Sequence, residues 1–171
     1  MTQAMDDRIR IVPITANHIK GFHACLDVVA REKRYLASTE APPLETTRSF
    51  VKGNIKNNIP QFVALDGNKV VGWCDISPKG RASMAHCGVL GMGVHPAYRR
   101  QGIGRRLLEA TLARAIEIGL KRVELDVIVS NSAAIALYTQ FGFMVEGIKK
   151  QALRLEDRYL DLMFMALWVG S

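Results

Sequence analysis

Cysteine is scarce in this chain, and its pattern excludes two classes of protein. The three cysteines, Cys25, Cys74 and Cys87, are odd in number, and none stands in a Cys-x-x-Cys pair. A small domain held together by disulfides needs an even set of cysteines, and a structural zinc site needs closely spaced ligands. The sequence therefore predicts reduced thiols in an intracellular setting and no metal site.

Long apolar runs are also lacking. The most apolar stretch, residues 160–169, is shorter than a membrane span and carries Asp161. Three charged residues, Asp6, Asp7 and Arg8, lie near the position where a signal peptide has its apolar core. We therefore expect a cytoplasmic location and no membrane partner.

Acidic residues are outnumbered by basic ones, 16 to 23, which gives a net charge of +7. Such an excess attracts nucleic acids, but the chain has no zinc-finger spacing and no basic residues interleaved with aromatic ones. We therefore expect no nucleic-acid partner. Much of the positive charge is concentrated instead in one part of the chain, at Arg99, Arg100, Arg105, Arg106, Lys121 and Arg122.

The length of 171 residues and the 49% hydrophobic content suit one globular domain over residues 1–171. Hydrophobic periodicity predicts one mixed α/β domain in the order β-α-α-β-β-β-α-β-α-β-β. The predicted strands are 8–14, 61–65, 69–76, 85–94, 123–129, 143–148 and 159–168. The charged segment 149–157 is predicted to join the last two strands. The main predicted helix covers 107–118.

The stretch Arg99–Arg106, between the strand 85–94 and the main helix, is the most informative part of the chain. Gly102 and Gly104 allow a ligand to approach the backbone closely. The unpaired amides of the first helical turn then suit a pyrophosphate. The spacing is neither that of a P-loop, which requires Gly-Lys followed by Ser or Thr, nor the dinucleotide-binding Gly-x-Gly-x-x-Gly.

The motif Arg99-x-x-Gly102-x-Gly104 resembles the acetyl-coenzyme A loop of the GNAT superfamily, the general-control-related N-acetyltransferases. A second segment, from Asn131 to Tyr138, resembles the Asn-x-x-Ala-x-x-x-Tyr helix of that family. The Gly-Phe strand entry at Gly142 follows it. The similarity covers roughly residues 70–167.

The end of the chain narrows the resemblance. Residues 158–161, Arg-Tyr-Leu-Asp, and Met163 resemble the closing strand of bacterial amino-acid N-acyltransferases and phosphinothricin acetyltransferases. The family fold implied is a single GNAT-type α/β (mixed α+β) domain with a central mixed sheet of about seven strands and four main helices. Its two central strands splay apart, and we expect Gly91 and Gly93 to mark a β-bulge there. The alternative is that these glycines relieve crowding beneath a helix.

The resemblance implies acetyl-CoA as the co-substrate and no metal. The loop amides would hold the pyrophosphate, and backbone amides near residues 92–94 would pair with the pantetheine arm. Asn131 could cap its helix, bind the cofactor, or do both. The cofactor-binding residues predicted in this way are Met92, Val94, Arg99, Arg100, Gln101, Gly102, Gly104, Arg105, Asn131, Ala134 and Tyr138.

Tyr138 is also the predicted general acid. A tyrosine is protonated at neutral pH and can give its proton to a departing thiolate. The alternative is a core aromatic residue on an amphipathic helix. For the general base we choose Glu124, while Asp75, His86 and His95 remain open, as does a route through backbone carbonyls and water.

The predicted function is acetyl transfer from acetyl-CoA to a primary amine of a small molecule, an amino acid or an amine-bearing toxin, by direct attack in a ternary complex. One alternative is acetylation of a protein N-terminus or lysine. Another is a catalytically silent acyl-CoA-binding regulatory module. The acceptor is expected between the helices of residues 15–58 and the segment 149–157. Homodimerisation through the terminal strands follows the habit of the family.

Overall fold

Residues 8–171 are described by a computed structural model, and the prediction made from Asp6 and Asp7 lies outside them. Their seven strands are β1 (Ile9–Pro13), β2 (Gln61–Asp66), β3 (Lys69–Pro78), β4 (Cys87–Val94), β5 (Arg122–Ile128), β6 (Met144–Leu155) and β7 (Arg158–Trp168). Their four longer helices are α1 (Ile19–Arg31), α2 (Leu44–Lys56), α3 (Ile103–Glu117) and α4 (Ser132–Gln140). The predicted element order is confirmed.

All seven strands lie in one sheet, in the order β1-β2-β3-β4-β5-β7-β6. Neighbouring strands are antiparallel except for β4 and β5, which are parallel. Residues 87–89 of β4 pair with residues 122–124 of β5, and the pairing stops at Val89 and Glu124. Both strands continue beyond that point without pairing. The predicted splay of the central strands is therefore confirmed, and the gap it opens is called the cleft below.

The predicted bulge at Gly91 and Gly93 is wrong. The ladder between β3 and β4 runs without a register shift from Gly72 opposite Val94 to Pro78 opposite Gly88. Gly93 has a different reason, since a Cβ there would lie 2.3 Å from the ring of Trp73. Trp73 packs edge-on against Phe22 of α1, so Gly93 relieves crowding beneath a helix. A Cβ at Gly91 would make only ordinary contacts, at 3.7 and 3.8 Å, with the carboxylate oxygens of Asp75.

Apolar side chains cover both faces of the sheet, because its strands alternate between two buried clusters. The first lies beneath α3 and α4 and contains Leu107, Leu125 and Tyr138. The second lies beneath α1 and α2 and contains Phe22 and Trp73. No helix among residues 8–171 is long and apolar enough to span a membrane.

The segment 149–157, predicted as a connection, is mostly strand. β6 continues to Leu155, and only a tight turn at residues 156 and 157 separates it from β7. Leu153 pairs with Leu160, and Leu155 is buried. The charged side chains that indicated a loop lie on the solvent side, where Lys149 contacts Asp126. A register shift between Lys149 and Leu153 interrupts the ladder there.

Candidate active site

The cleft has one polar backbone edge, formed by the second half of β4. The amide of His95 donates to Val71 O on β3 at 2.8 Å. Successive amides of a strand point to opposite edges, so the amides of Met92 and Val94 point away from β3 and into the cleft. Because β5 has separated there, these groups are available to a ligand lying between the strands.

The chain leaves β4 through a loop that ends at the first turn of α3. Arg100 and Gly102 in this loop have left-handed backbone angles, φ 61° and 76°. Gly102 is the N-cap of α3. The hydrogen bonds of the helix begin with the amide of Arg106, which donates to Gly102 O at 3.2 Å. The amides of residues 103–105 therefore stay open to an anion, as expected at a helix N-terminus. This is the arrangement predicted for Gly102.

Packing within the protein does not require glycine at position 104. A Cβ there would lie 3.4 Å from Met92 and 3.5 Å from Leu137, which are ordinary van der Waals contacts. The close approach of a ligand at Gly104 stays a prediction. The predicted ligand-facing residues Arg100, Gln101 and Arg105 are all exposed around the loop. Arg105 Nη1 donates to Gln140 Oε1 at 3.2 Å. The cationic side chains of Arg100 and Arg105 lie at the surface near the open amides.

Arg99, predicted to bind the cofactor, is engaged within the protein. Its guanidinium donates to both carboxylate oxygens of Glu32 at 2.8 and 2.5 Å, and its Nε donates to Val94 O at 3.0 Å. The cation also lies 4.7 Å from the ring centre of Tyr35. These contacts fasten the loop to the end of α1, so the side chain of Arg99 holds the loop in place and is not free for a phosphate.

Asn131 is the N-cap of α4, where its side chain accepts a hydrogen bond from the Ala134 amide at 3.3 Å. The cap starts the helix that carries Tyr138 two turns later. Of the two roles predicted for Asn131, capping is the one that its contacts display. Ala134 takes part through this same backbone bond.

Tyr138 is buried, with 7% of its surface exposed, in the cluster beneath α3 and α4. Its ring lies 5.6 Å from that of Phe143. Burial, with the neighbouring Cys74 as a second cause, raises the pKa of Tyr138, so the phenol stays protonated at neutral pH. Within residues 8–171 its hydroxyl makes no hydrogen bond to the protein, and this oxygen is not among the fully enclosed unsatisfied polar atoms, so it can take a partner from outside the protein.

Glu124 lies at the closed end of the cleft, opposite Val89. Its buried carboxylate contacts Lys79 and, at 3.2 Å, the Nε of Arg122. Arg122 in turn holds Glu146 with two bonds of 2.8 and 2.5 Å. The carboxylate of Glu124 is thus neutralised by two cations, which favours a structural role over that of a base.

The two histidines that were candidate bases also have other partners. His86 lies before β4 at the closed end, where its ring Nε2 is 3.4 Å from Cys87 Sγ. His95 accepts the Ala97 amide on its ring Nδ1 at 3.1 Å and so caps a short turn. Burial, with Lys69 and Arg99, lowers the pKa of His95.

Asp75 is the remaining candidate. It lies on β3 opposite Gly91, at the start of the open part of the cleft. Burial raises the pKa of Asp75 to about 7. The signal for it in the sequence is an acid within an otherwise apolar strand, but that signal does not separate it from Glu124. Within the described chain, no group of three or more His, Cys, Asp or Glu could hold a metal.

The Acetyltransferase (GNAT) family model matches residues 23–143. Over 110 residues, 63% of the chain, it is 33% identical to an L-amino acid N-acetyltransferase of Escherichia coli K12, of which 67% is covered. Over 91 residues, 53% of the chain, it is 41% identical to an N-alpha-acetyltransferase of Mycobacterium tuberculosis, of which 56% is covered. The matches span about half to two thirds of these curated relatives.

Among solved structures, the chain resembles yncA of Salmonella typhimurium, solved with its cofactor acetyl-CoA. The TM-score is 0.90 at 19% identity, over 96% of this chain and 95% of that one. At that identity the likeness concerns the fold, and it agrees with the splayed sheet described above. The family match covers well over half of the sequence. The chain belongs to the GNAT family of acetyltransferases.

Proposed function

We propose that the protein transfers the acetyl group of acetyl-CoA to a primary amine of a small molecule, by direct attack in a ternary complex. One observation carries the proposal. The cleft edge of β4 presents the unpaired amides of Met92 and Val94, and it leads into the loop whose left-handed Gly102 begins α3. A linear ligand with an anionic end matches both parts of this surface.

The residues present fit acetyl-CoA. The open amides of residues 103–105 would hold its pyrophosphate, with Arg100 and Arg105 beside them as exposed cations. Met92 and Val94 would pair with the pantetheine arm along β4. When bound, acetyl-CoA supplies the acetyl group as an activated thioester.

Tyr138 supplies the acid in this proposal. Its raised pKa keeps the proton on the phenol at neutral pH, so the hydroxyl can donate a hydrogen bond to the departing thiolate and pass its proton as the thiol forms. The unpartnered hydroxyl is therefore available to the leaving sulfur. The fixed start of α4 at Asn131 determines where the tyrosine lies.

The nature of the acceptor separates two candidate functions. Similarity to an L-amino acid N-acetyltransferase supports a small amine. The 41% identity to an N-alpha-acetyltransferase favours a protein N-terminus as the second candidate. Both acceptors present a primary amine, so the chemistry within the cleft is the same.

Release of free CoA tests the proposal. Acetyl-CoA is offered with amino acids, polyamines, aminoglycosides and short peptides, with Tyr138→Phe beside the wild type. Turnover on the small amines that depends on Tyr138 supports the proposal, and turnover on peptides alone supports the second candidate. Binding of acetyl-CoA without any turnover would support the silent regulatory module.

Two further proposals concern the setting of the protein. The edge strand β6 exposes Met144 by 73% and Val145 by 53%, which supports a homodimer through the terminal strands. Light scattering at several concentrations tests that state. The cysteines Cys25, Cys74 and Cys87 are free and buried, which fits a reducing cytoplasm.

A further inference from the structure

Asp75 lies where the sheet opens. The pairing of β4 with β5 ends at Val89, and Gly91, two residues farther along β4, is the register partner of Asp75. A Cβ built on Gly91 would lie 3.7 and 3.8 Å from the two carboxylate oxygens, so both strands hold the acid close to the opening. Because Gly91 has no side chain, nothing on β4 covers this carboxylate.

The carboxylate faces the side of the sheet opposite to that of Tyr138. Trp73, on the same face of β3 as Asp75, packs beneath α1 and α2, whereas Cys74 and Tyr138 belong to the cluster beneath α3 and α4. A group lying between the separated strands would therefore have the phenol on one side and the carboxylate on the other. A base for an incoming amine and an acid for a departing thiolate are needed in such opposed places.

Asp75 has no ion pair or hydrogen bond within residues 8–171, although it is partly buried. Its neighbour across β2 is Gln61, which is uncharged and 3% exposed. Gln61 accepts a bond from Asn54 of α2 at 2.7 Å, while its own buried Nε2 has no partner. The unsatisfied Nε2 of Gln61 and the unpaired carboxylate of Asp75 thus belong to neighbouring residues on this face.

In the described part of the chain, residues 8–171, no charged side chain forms an ion pair or hydrogen bond with Asp75. The groups that face Asp75 from β2 and β4 are Gln61 and Gly91, and α2 contributes Asn54 through Gln61. Farther along this face, Lys79 and Glu124 neutralise each other. A partly buried carboxylate that has no ion-pair partner and lies beside the cleft is available to a ligand of opposite charge.

We infer that Asp75 binds the ammonium group of the acceptor and removes its proton, an inference that rests on the acetyl transfer proposed above. The acceptor is then a primary amine that enters protonated from the α1 and α2 side of the sheet. This assigns to Asp75 the role of base that the sequence left open between it, Glu124 and the two histidines.

The proton balance of the step closes. Asp75 takes one proton from the ammonium, which leaves a lone pair on the nitrogen. As that nitrogen bonds to the acetyl carbon, the carbon–sulfur bond breaks with its electrons on sulfur, and Tyr138 gives its phenolic proton to the sulfur. The new amide nitrogen loses its second proton to solvent, and solvent returns one to Tyr138 and takes one from Asp75.

The acidity of Asp75 bears on how readily it removes the proton of an ammonium group. With its pKa raised to about 7 by burial, the carboxylate is a stronger base than an ordinary aspartate. The ordinary pKa is about 8 for an α-amino group and about 10.4 for a lysine side chain, so the test offers both classes of primary amine.

The test compares Asp75→Asn with a control, Glu117→Gln, which makes the same acid-to-amide change at an exposed carboxylate paired with Arg114 at the end of α3. The probes are L-alanine, an alanine-initiated peptide and Nα-blocked lysine, each with acetyl-CoA between pH 6 and 9. We expect Asp75→Asn to lower kcat/KM at pH 7 by about 100-fold. The loss should shrink as rising pH supplies free amine, with acetyl-CoA affinity unchanged and Glu117→Gln equal to the wild type.

Each outcome decides between the inference and the proposed function. Wild-type turnover that Asp75→Asn leaves unaltered overturns the inference alone. A loss of the same factor at every pH indicates a structural role for Asp75 and also overturns it. If the wild type turns over none of the probes while binding acetyl-CoA, the proposed function fails and the inference with it. Unchanged acetyl-CoA affinity excludes misfolding as the cause of a loss.

Discussion

Polar side chains are paired with each other at the closed end of the β4–β5 gap and are left unpaired at its open end. At the closed end, Glu124 is neutralised by Lys79 and Arg122, and Arg122 also binds Glu146. At the open end, the Asp75 carboxylate and the Tyr138 hydroxyl have no partner within the described residues. Groups paired in this way hold a fold together, whereas the unpaired ones are available to a substrate.

The most severe change is expected at the anion-binding end of the open half. Gly102→Glu puts a side chain on a residue with φ 76° and places a negative charge among the amides that would hold a pyrophosphate. We expect acetyl-CoA affinity to fall by at least about 100-fold, measured by calorimetry. Gly67→Glu is the control, since Gly67 has φ 60° in the β2–β3 turn and should show the strain without the loss of binding.

The next largest effect is expected at the acid. Tyr138→Phe removes only the unpartnered hydroxyl and keeps the buried ring beside Phe143. We expect kcat to fall by about 100-fold because the thiolate leaves unprotonated, with little change in the Kd for acetyl-CoA. Tyr159→Phe, at a tyrosine that is 60% exposed on β7, serves as the control. Wild-type kcat in Tyr138→Phe would remove this residue from the acid role.

A change at the closed end should affect stability instead of chemistry. Glu124→Gln leaves Lys79 and Arg122 without their shared carboxylate, and both are about one quarter exposed. We expect the free energy of unfolding to fall by about 1–3 kcal/mol. Chemical denaturation measures this, and the pH profile of kcat/KM should keep its wild-type shape. A flattened profile would transfer the role of base to Glu124.

The smallest effect is a gain in stability at the open end. Burial raises the pKa of Asp75 in the folded protein to about 7 from its ordinary 3.8, so the folded state holds this proton more tightly than the unfolded state. The stability of the folded state that depends on the neutral acid is therefore lost as the pH rises from 3.8 to about 7. Asp75→Asn should melt a few degrees above the wild type at pH 8 and no higher at pH 4. A lower Tm at pH 8 would mean that the carboxylate has a stabilising partner.

Much of the fold could be predicted from the sequence because it depends on local patterns. The hydrophobic periods predict all the strands and main helices in order, and Gly102 indicates the start of α3. The extension of β6 could not be predicted, because charged residues such as Lys149 are typical of a loop. Their contacts with β7 and β5, which place them in a strand, are visible only in the structure. The sequence also did not show why position 93 is glycine, because the side chain that a Cβ there would meet belongs to Trp73, twenty residues away along the chain.

The same distinction between local patterns and distant contacts applies to the candidate site. The sequence by itself determined the loop, the helix that carries Tyr138 and the family, because each of these depends on residues that lie close together along the chain. Only the tertiary structure decided that Arg99 holds Glu32, that Glu124 is paired and that Asp75 is not. The reason is physical: whether a charge is neutralised or left available depends on which strands and helices come together, and the spacing of residues along one strand does not contain that information.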